Sequence, residues 1–164
     1  MEQPIVRGVA ASLSEVLITV AVPAGVSPAG TARVLRAAAG LGVPVGTVSS
    51  RGGPGTLAFT VPAAHGPAVA AELAVADVGS VELDEQVGEV ALLGAGLRSA
   101  PAVVATFCEA LARAGVPLAA TSFESRRLAA LCPRAQLDRA VRALCEAFEV
   151  GAPTGAAEPL PVAG

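Results

Sequence analysis

Two segments of the chain repeat one pattern: residues 28–44 read PAGTARVLRAAAGLGVP, and residues 101–117 read PAVVATFCEALARAGVP. The second segment lies 73 residues after the first and aligns with it without a gap, with eight of the 17 positions identical. The identities include the proline at each end and the Gly-Val-Pro triplet, which an alanine-rich composition alone does not explain. The sequence therefore predicts two copies of one structural unit of about 70 residues.

Both copies show the same order of predicted elements. A β-rich run is followed by a Gly/Pro loop, an alanine-rich helix, two further strands and a second helix with an apolar stripe. In the first copy, strands are predicted at 16–22, 56–61 and 78–83, with the second strand starting at Val43. In the second copy they are predicted at 87–93 and 128–131, with the second strand starting at Val116. The predicted helices are 29–40, 67–74, 102–113 and 136–148. Gly42 and Gly115 are expected to end the first helix of each copy, because glycine adopts left-handed dihedral angles easily.

This order predicts an α+β fold of two ferredoxin-like βαββαβ domains, each an antiparallel sheet with its helices on one face. The second copy has no last strand of its own, because the chain beyond Gly151 is rich in Gly, Pro and Ala. Residues 4–9 are expected to supply it. The predicted domains are residues 14–86, and residues 1–13 with 87–150, followed by a flexible tail at 151–164.

Composition and charge exclude several classes of function. The chain has no lysine, since its 11 cationic residues are all arginine, which excludes a catalytic or phosphate-binding lysine. A net charge of −3 and only four aromatic residues, all Phe, argue against nucleic-acid binding. Apolar runs are too short to cross a membrane and the start does not resemble a signal peptide, so a soluble cytoplasmic protein is expected. Three cysteines without paired spacing predict no disulfide, metal or cofactor site.

Short motifs then occur in one order along the chain, namely Arg7-Gly8-Val9-Ala10, Arg51-Gly52-Gly53, Phe59-Thr60-Val61-Pro62, Gly94 to Ser99 followed by Pro101, and LDRAVRALCEAFE at 137–149. Together they resemble the tandem ACT domains of aspartate kinase, in particular its separate regulatory (β) subunit. The resemblance covers residues 5–150. It does not extend to the kinase catalytic domain, so no phosphoryl-transfer site is expected.

The resemblance implies dimerisation through paired sheet edges, a possible catalytic aspartate kinase subunit as partner, and an effector pocket where one ACT domain meets another. In relatives this pocket binds lysine or threonine and inhibits the kinase, with ligands from the loop before the first helix and from the start of the second strand. The corresponding candidate ligand residues in this chain are Ser27, Pro28, Ala29, Pro44, Val45, Ser50, Arg98, Ser99, Pro101, Pro117, Leu118, Ser122 and Glu124.

Several of these positions differ from the family pattern. The family's Asp-Lys-Pro-Gly loop is replaced by AGVSPA at 24–29, and its Gly-Val-Asn-Ile-Asp by GVPVG at 42–46 and GVPLA at 115–119. An α-amino acid needs a partner for its ammonium group and donors for its carboxylate. Proline in place of asparagine removes both a side-chain amide and a backbone N–H. We therefore expect that lysine and threonine are not bound in the family's manner.

Arg98 and Ser99 have two interpretations. In one, the Gly-flanked amides, Arg98 and the start of the following helix form an anion pocket. In the other, the segment is a plain strand-to-helix turn with Ser99 as the helix cap.

Other conspicuous side chains are expected to be structural. His65 is expected in a solvent-facing loop without a partner for base catalysis. The three cysteines are expected in or near the core, and the carboxylates between residues 82 and 89 at a solvated surface. Phe123 is expected to be exposed or at an interface, where it would contact a partner or a pocket, and pairing of Arg126 and Arg127 with carboxylates of a second chain is an equal alternative.

Two hypotheses of function follow. The first is a non-catalytic tandem ACT regulatory protein that binds a small molecule, a second copy or a kinase subunit. The second is an enzyme on the same scaffold, whose effector pocket has become an apolar active site, for example for a cyclisation, with Arg98, Glu124 or Ser122 as polar handles. A purely structural interaction protein is a third possibility.

Overall fold

The computed structural model of the chain describes residues 3–23, 25–50 and 55–151. Its helices and strands, in chain order, are β1 (Ile5–Ser12), β2 (Glu15–Ala21), α1 (Pro28–Gly40), β3 (Val48–Ser50), β4 (Thr56–Pro62), α2 (Gly66–Val75), β5 (Ser80–Asp84), β6 (Val87–Ala95), α3 (Pro101–Arg113), β7 (Ala120–Phe123), β8 (Arg127–Pro133) and α4 (Leu137–Ala147). They form two compact units. The inner unit is residues 13–87, and the outer unit combines the described residues up to Ser12 with those from Gly88 onward.

The inner unit is an antiparallel sheet of strand order β3-β4-β2-β5. Side chains alternate between the two faces of a strand, so one face collects every second residue. On the face toward the helices, fully buried strand residues such as Ile18 and Phe59 pack with Val34 and Ala38 of α1 and Leu73 of α2. The amphipathic patterns of strand and helix therefore meet in one apolar core, as the predicted α+β sandwich requires.

The outer unit is a second antiparallel sheet, of order β1-β6-β8-β7. β1 pairs with β6 from Ile5 opposite Ala95 to Ser12 opposite Glu89, with an irregularity between Val6 and Gly8. It occupies the place beside β6 that β5 occupies beside β2. A strand from the N-terminal end of the chain thus completes the sheet of the second repeat.

The two units repeat their backbone hydrogen bonds as well as their element order. Gly46 N–H donates to Thr60 O (2.9 Å) in the inner unit, as Ala119 N–H donates to Leu131 O (2.7 Å) in the outer unit. Likewise Val22 N–H donates to Gly55 O (2.6 Å), as Gly94 N–H donates to Arg126 O (3.0 Å). Gly42 and Gly115, just beyond α1 and α3, have φ angles of +67° and +68°. Their predicted left-handed conformation is confirmed, and so is the α+β ferredoxin-like class.

The second strand of each copy begins later than the sequence predicts. It starts at Val48 rather than Val43 in the inner unit, and at Ala120 rather than Val116 in the outer unit. Pro44 and Pro117 lie in the intervening segments, and proline has no N–H for a ladder of strand hydrogen bonds. The ladder can begin only after them. The Arg51-Gly52-Gly53 motif and the predicted tail beyond Gly151 lie outside the described residues.

Gly94 permits the close approach of β1 to β6. A Cβ at this position would overlap the carbonyl oxygen of Ile5 and come within 2.8 Å of Leu97 Cδ2. We expect Gly94→Ala to lower the free energy of unfolding by about 1–3 kcal/mol, the usual cost of overpacking. Urea denaturation measures this change.

The matched control is Gly8→Ala on β1, where a Cβ would meet nothing within 4 Å. We expect this control to leave stability nearly unchanged. Equal losses in the two variants would contradict a steric role for Gly94.

Candidate functional site

The segment that runs from the end of β6 to the start of α3, residues 94–100, is fixed to the turn that joins β7 and β8. We call it the α3 loop. Leu97 N–H donates to Ser125 O (2.9 Å), and Gly94 N–H donates to Arg126 O (3.0 Å). The Leu97 side chain is fully buried in the outer core. With its backbone and its central side chain held, the loop presents the exposed Arg98 and Ser99 to solvent.

Ser99 does not cap α3. The N-cap is Ala100, which has extended dihedral angles and no side-chain capping bond, and Pro101 follows at the first helical position. The Ala100 carbonyl already accepts from Val103 N–H (2.9 Å), so the helix begins one residue later than capping by Ser99 would require. The capping interpretation is therefore wrong. Within the described part of the chain, the Ser99 hydroxyl makes no hydrogen bond.

The equivalent helix of the inner unit is capped by its own sequence. Ser27 is the N-cap of α1, and its Oγ accepts from Gly30 N–H at 3.0 Å. Pro28 occupies the first turn, and Pro28 and Ala29 are exposed. Of the predicted ligand residues before α1, the one with a polar side chain is therefore engaged in holding the helix end.

The predicted ligand residues after α1 and α3 supply apolar groups. Pro44 and Pro117 are exposed and have no N–H to donate. Val45 and Leu118 are half-buried and pack against the cores of their own units. Ser50 is exposed at the end of β3, where it pairs with Leu57 of β4. These segments therefore offer little for binding an ammonium group or a carboxylate.

Ser122 and Glu124 lie at the β7–β8 turn, next to the α3 loop. Ser122 Oγ donates to Glu124 Oε1 over a long 3.5 Å. Glu124 N–H donates to Arg127 O at 2.8 Å, which closes the turn. Because the α3 loop is bonded to Ser125 and Arg126 of the same turn, the structure gathers Arg98, Ser99, Ser122 and Glu124 at one end of the outer sheet.

An ion pair that the sequence analysis missed joins β6 to β8. Arg127 Nη2 bonds to Glu89 Oε1, and the two side chains are only 21% and 19% exposed. Arg127 was expected to pair with a second chain, but its partner is in the same sheet. Glu89 was expected at a solvated surface, which is also wrong. The cross-strand register that brings them together is not visible in either local sequence.

Phe123 is also placed differently from the prediction. Its ring stands edge-on to Phe107 of α3, with centroids 6.2 Å apart and planes at 86°. It is half-buried against the outer core. Because edge-to-face aromatic pairs are favourable, Phe123 anchors the end of β7 rather than forming an exposed contact.

Two of the three cysteines lie where burial disfavours ionisation of the thiol. Burial raises the pKa of the Cys132 thiol, which is fully enclosed, and that of the half-buried Cys145 thiol. A raised pKa lowers the thiolate fraction, and the thiolate is the nucleophile. His65 is exposed at the end of a short 3-10 turn before α2.

Neither a metal cluster nor a membrane span is found in the ranges 3–23, 25–50 and 55–151. No three His, Cys, Asp or Glu residues there are grouped to hold a metal ion, and none of these helices is long and apolar enough to cross a bilayer. A shallow groove of about 350 Å³ between α3 and α4 is lined by four alanines with Arg113 and Glu146. It contains none of the predicted ligand residues.

The enclosed thiol gives a test of this core. In a Cys108→Ala/Cys145→Ala variant, Cys132 is the only remaining thiol. We expect it to react with Ellman's reagent at least about 100-fold more slowly in the folded protein than in urea, since both access and ionisation are suppressed. Reaction at the unfolded rate under native conditions would contradict its burial.

Comparison with proteins of known sequence finds that the chain is similar to aspartokinases. A family model described as the ACT domain matches residues 90–148. The aspartokinase of Mycobacterium tuberculosis is 39% identical over 160 residues, which cover 92% of this chain and 38% of that protein. The aspartokinase of Corynebacterium glutamicum is 35% identical over 162 residues, with the same coverage. The chain thus spans less than two fifths of the length of these relatives.

Solved structures with a similar fold match nearly the whole length of this chain and of their own chains. A structure of aspartokinase alpha and beta subunits is similar with a TM-score of 0.80 and 25% identity, covering 88% of this chain and 99% of that one. The ligand-free regulatory subunit of aspartate kinase from Thermus thermophilus gives a TM-score of 0.80 and 27% identity, covering 87% and 99%. The chain therefore resembles the regulatory subunit of aspartate kinase in sequence and in fold, and its residues 90–148 match the ACT domain family.

Proposed function

We propose that the chain is a non-catalytic regulatory module of the aspartokinase type, which binds a small carboxylate-bearing molecule at the α3 loop rather than lysine or threonine in the family's manner. The observation that carries this proposal is the fixed α3 loop. Two backbone hydrogen bonds and the buried Leu97 hold it in place, and Arg98 and Ser99 project from it beside a helix start without a side-chain cap.

The chemistry of this arrangement suits a carboxylate. A guanidinium group binds a carboxylate through two parallel hydrogen bonds, and the N-terminal end of a helix carries a partial positive charge. The Ser99 hydroxyl adds a donor. In the inner unit Gly30 N–H donates to Ser27 Oγ, and in the outer unit the equivalent Val103 N–H donates to the Ala100 carbonyl. A carboxylate at the α3 loop would therefore bind mainly through Arg98 and Ser99.

The residues around Pro44 and Pro117 argue against binding of lysine or threonine in the family's manner. Hydrogen bonds to charged groups contribute about 1.5–3 kcal/mol each. Losing two of them weakens binding by about 100-fold or more. The prolines provide no N–H, and the neighbouring Val45 and Leu118 face their own cores. An effector held in the family's manner would lack those partners.

The protein partner that fits this proposal is a catalytic aspartokinase chain. Support comes from the similarity to a structure of aspartokinase alpha and beta subunits, and from relatives in which the matching region is 38% of the protein. Pairing of two copies through sheet edges, predicted from the family resemblance, is the other association that fits.

Calorimetric titration with lysine and threonine tests the loss of the family's effector site. We expect no saturable heat with either amino acid below about 1 mM, because Pro44 and Pro117 supply neither an N–H nor a side-chain amide. Saturable binding at micromolar concentration would contradict this part of the proposal.

The α3 loop is tested with succinate, a dicarboxylate without an ammonium group. We expect millimolar binding that shifts the amide NMR signals of residues 97–100 and of Ala102, and that is weakened about tenfold or more by Arg98→Ala. The matched control is Arg113→Ala at the other end of the same helix, where the side chain is exposed beside Glu109. Equal effects of the two variants, or shifts confined to other residues, would contradict an anion site at this loop.

A further inference from the structure

The second helices of the two units occupy equivalent places but carry different outward faces. On α4 the outward residues are mostly charged, and the exposed charged residues are Asp138, Arg139, Arg142 and Glu146. The positions 71 residues earlier, on α2, are also exposed, and they are Pro67, Ala68, Ala71 and Val75. The inward residues are equivalent, with Leu73 and Leu144 both fully buried. The second helix therefore has a charged outward face in the outer unit and an apolar outward face in the inner unit.

An apolar outward face is unusual for a surface helix. A helix on a globular protein ordinarily buries one apolar stripe and turns polar residues to water, as α4 does. The Val75 side chain is 81% exposed on α2, and the charged residue in that helix is Glu72. The exposed Leu41 at the end of α1 adds a further apolar group to the same layer of helices. Apolar residues grouped on one exposed face make that face a candidate interaction surface.

The charged side chains around this face have the signs needed to attract those of the same face on a second copy. Arg33 and Arg36 of α1 are exposed, as is Glu72 of α2. Within the described residues none of the three forms an ion pair. Neighbouring helices therefore carry opposite charges that are left unpaired in a single copy.

The topology shows how a second copy would pair these charges. β2 and β3 are both antiparallel to β4, so α1 and α2 run in opposite directions across the sheet. A two-fold axis parallel to the helices places α1 of one copy on α2 of the other, at the same height along the helix. Arg33 then faces the partner copy's Glu72, and the apolar residues of α2 pack against the alanine-rich α1.

We propose that the layer formed by α1 and α2 is an interface with a second copy of this chain, in which α1 of each copy packs on α2 of its partner. Helices of 13 and 10 residues are about 15–20 Å long, so the layer is smaller than the roughly 800 Å² per partner of a standard interface. A reversible dimer follows, formed at micromolar concentration. This proposal does not depend on the ligand site at the α3 loop, and it uses a different surface from the sheet edges.

Sedimentation velocity over about 5–500 µM protein tests the interface. We expect concentration-dependent association of the wild type, and about tenfold or more weaker association in Ala71→Arg/Val75→Glu. These two changes copy the charges that the equivalent positions of α4 already carry, so the fold should be retained, which circular dichroism verifies. Ala112→Arg, at an exposed alanine of α3, is the control and should leave association unchanged. A monomer at every concentration, or a dimer insensitive to Ala71→Arg/Val75→Glu, would overturn the proposal.

Charge reversal tests the arrangement of the helices. Arg33→Glu and Glu72→Arg should each weaken the dimer, because each places like charges together across the interface. The double variant should restore association to within about threefold of the wild type, since the pair is re-formed with its signs exchanged. If the double variant associates no better than the single variants, the packing of α1 on the partner's α2 is wrong.

Discussion

The pairing of β1 with β6 is the interaction on which the outer unit depends. β6 pairs with β8 on one side and with β1 on the other. Without β1, the backbone groups along that side of β6 would have no protein partner, and an unpaired strand edge is costly or prone to aggregation. The pairing also brings the buried Val9 into the core of the second repeat. Two tandem repeats in the sequence are thus interleaved in the structure.

The same pairing positions the candidate ligand loop. Gly94 lies opposite Val6 at the end of the β1–β6 ladder, and its N–H donates to Arg126 O of the neighbouring turn. Three residues later, Leu97 is bonded to Ser125 and buried. The exposed Arg98 and Ser99 come directly after this anchor. The place of these two side chains therefore depends on a strand about 90 residues away in sequence.

The sequence repeat was sufficient to predict the fold, because two copies of one strand and helix order fit few architectures. It did not predict features that depend on contacts between distant segments. Arg127 was assigned to a second chain, since only the register of β6 and β8 brings it to Glu89. Phe123 was expected to be exposed, because its partner Phe107 is on another element. The predicted start of β3 at Val43 was wrong because Pro44 has no N–H for the ladder of strand hydrogen bonds, and the apolar pattern used for the prediction does not reveal that.

The two units have kept one scaffold and changed its surface. Ser27 caps α1, whereas Ala100 leaves α3 without a side-chain cap, and the charges of α4 have no counterparts on α2. Core positions tolerate few changes, because they must fill the same space in both copies. Outward positions are free to diverge. The proposals for the two units, an anion at the outer one and a second copy at the inner one, rest on these differences.

Native-state hydrogen exchange of the β1 amides tests the central claim most directly. If β1 is an integral strand of the outer sheet, its hydrogen-bonded amides will exchange with the same free energy of opening as those of β8. The free energies of opening of the two strands will then decrease together as urea is added. If the β1 amides exchange at the rate of an unstructured chain while β6 and β8 remain protected, then the N-terminal strand does not complete the second repeat.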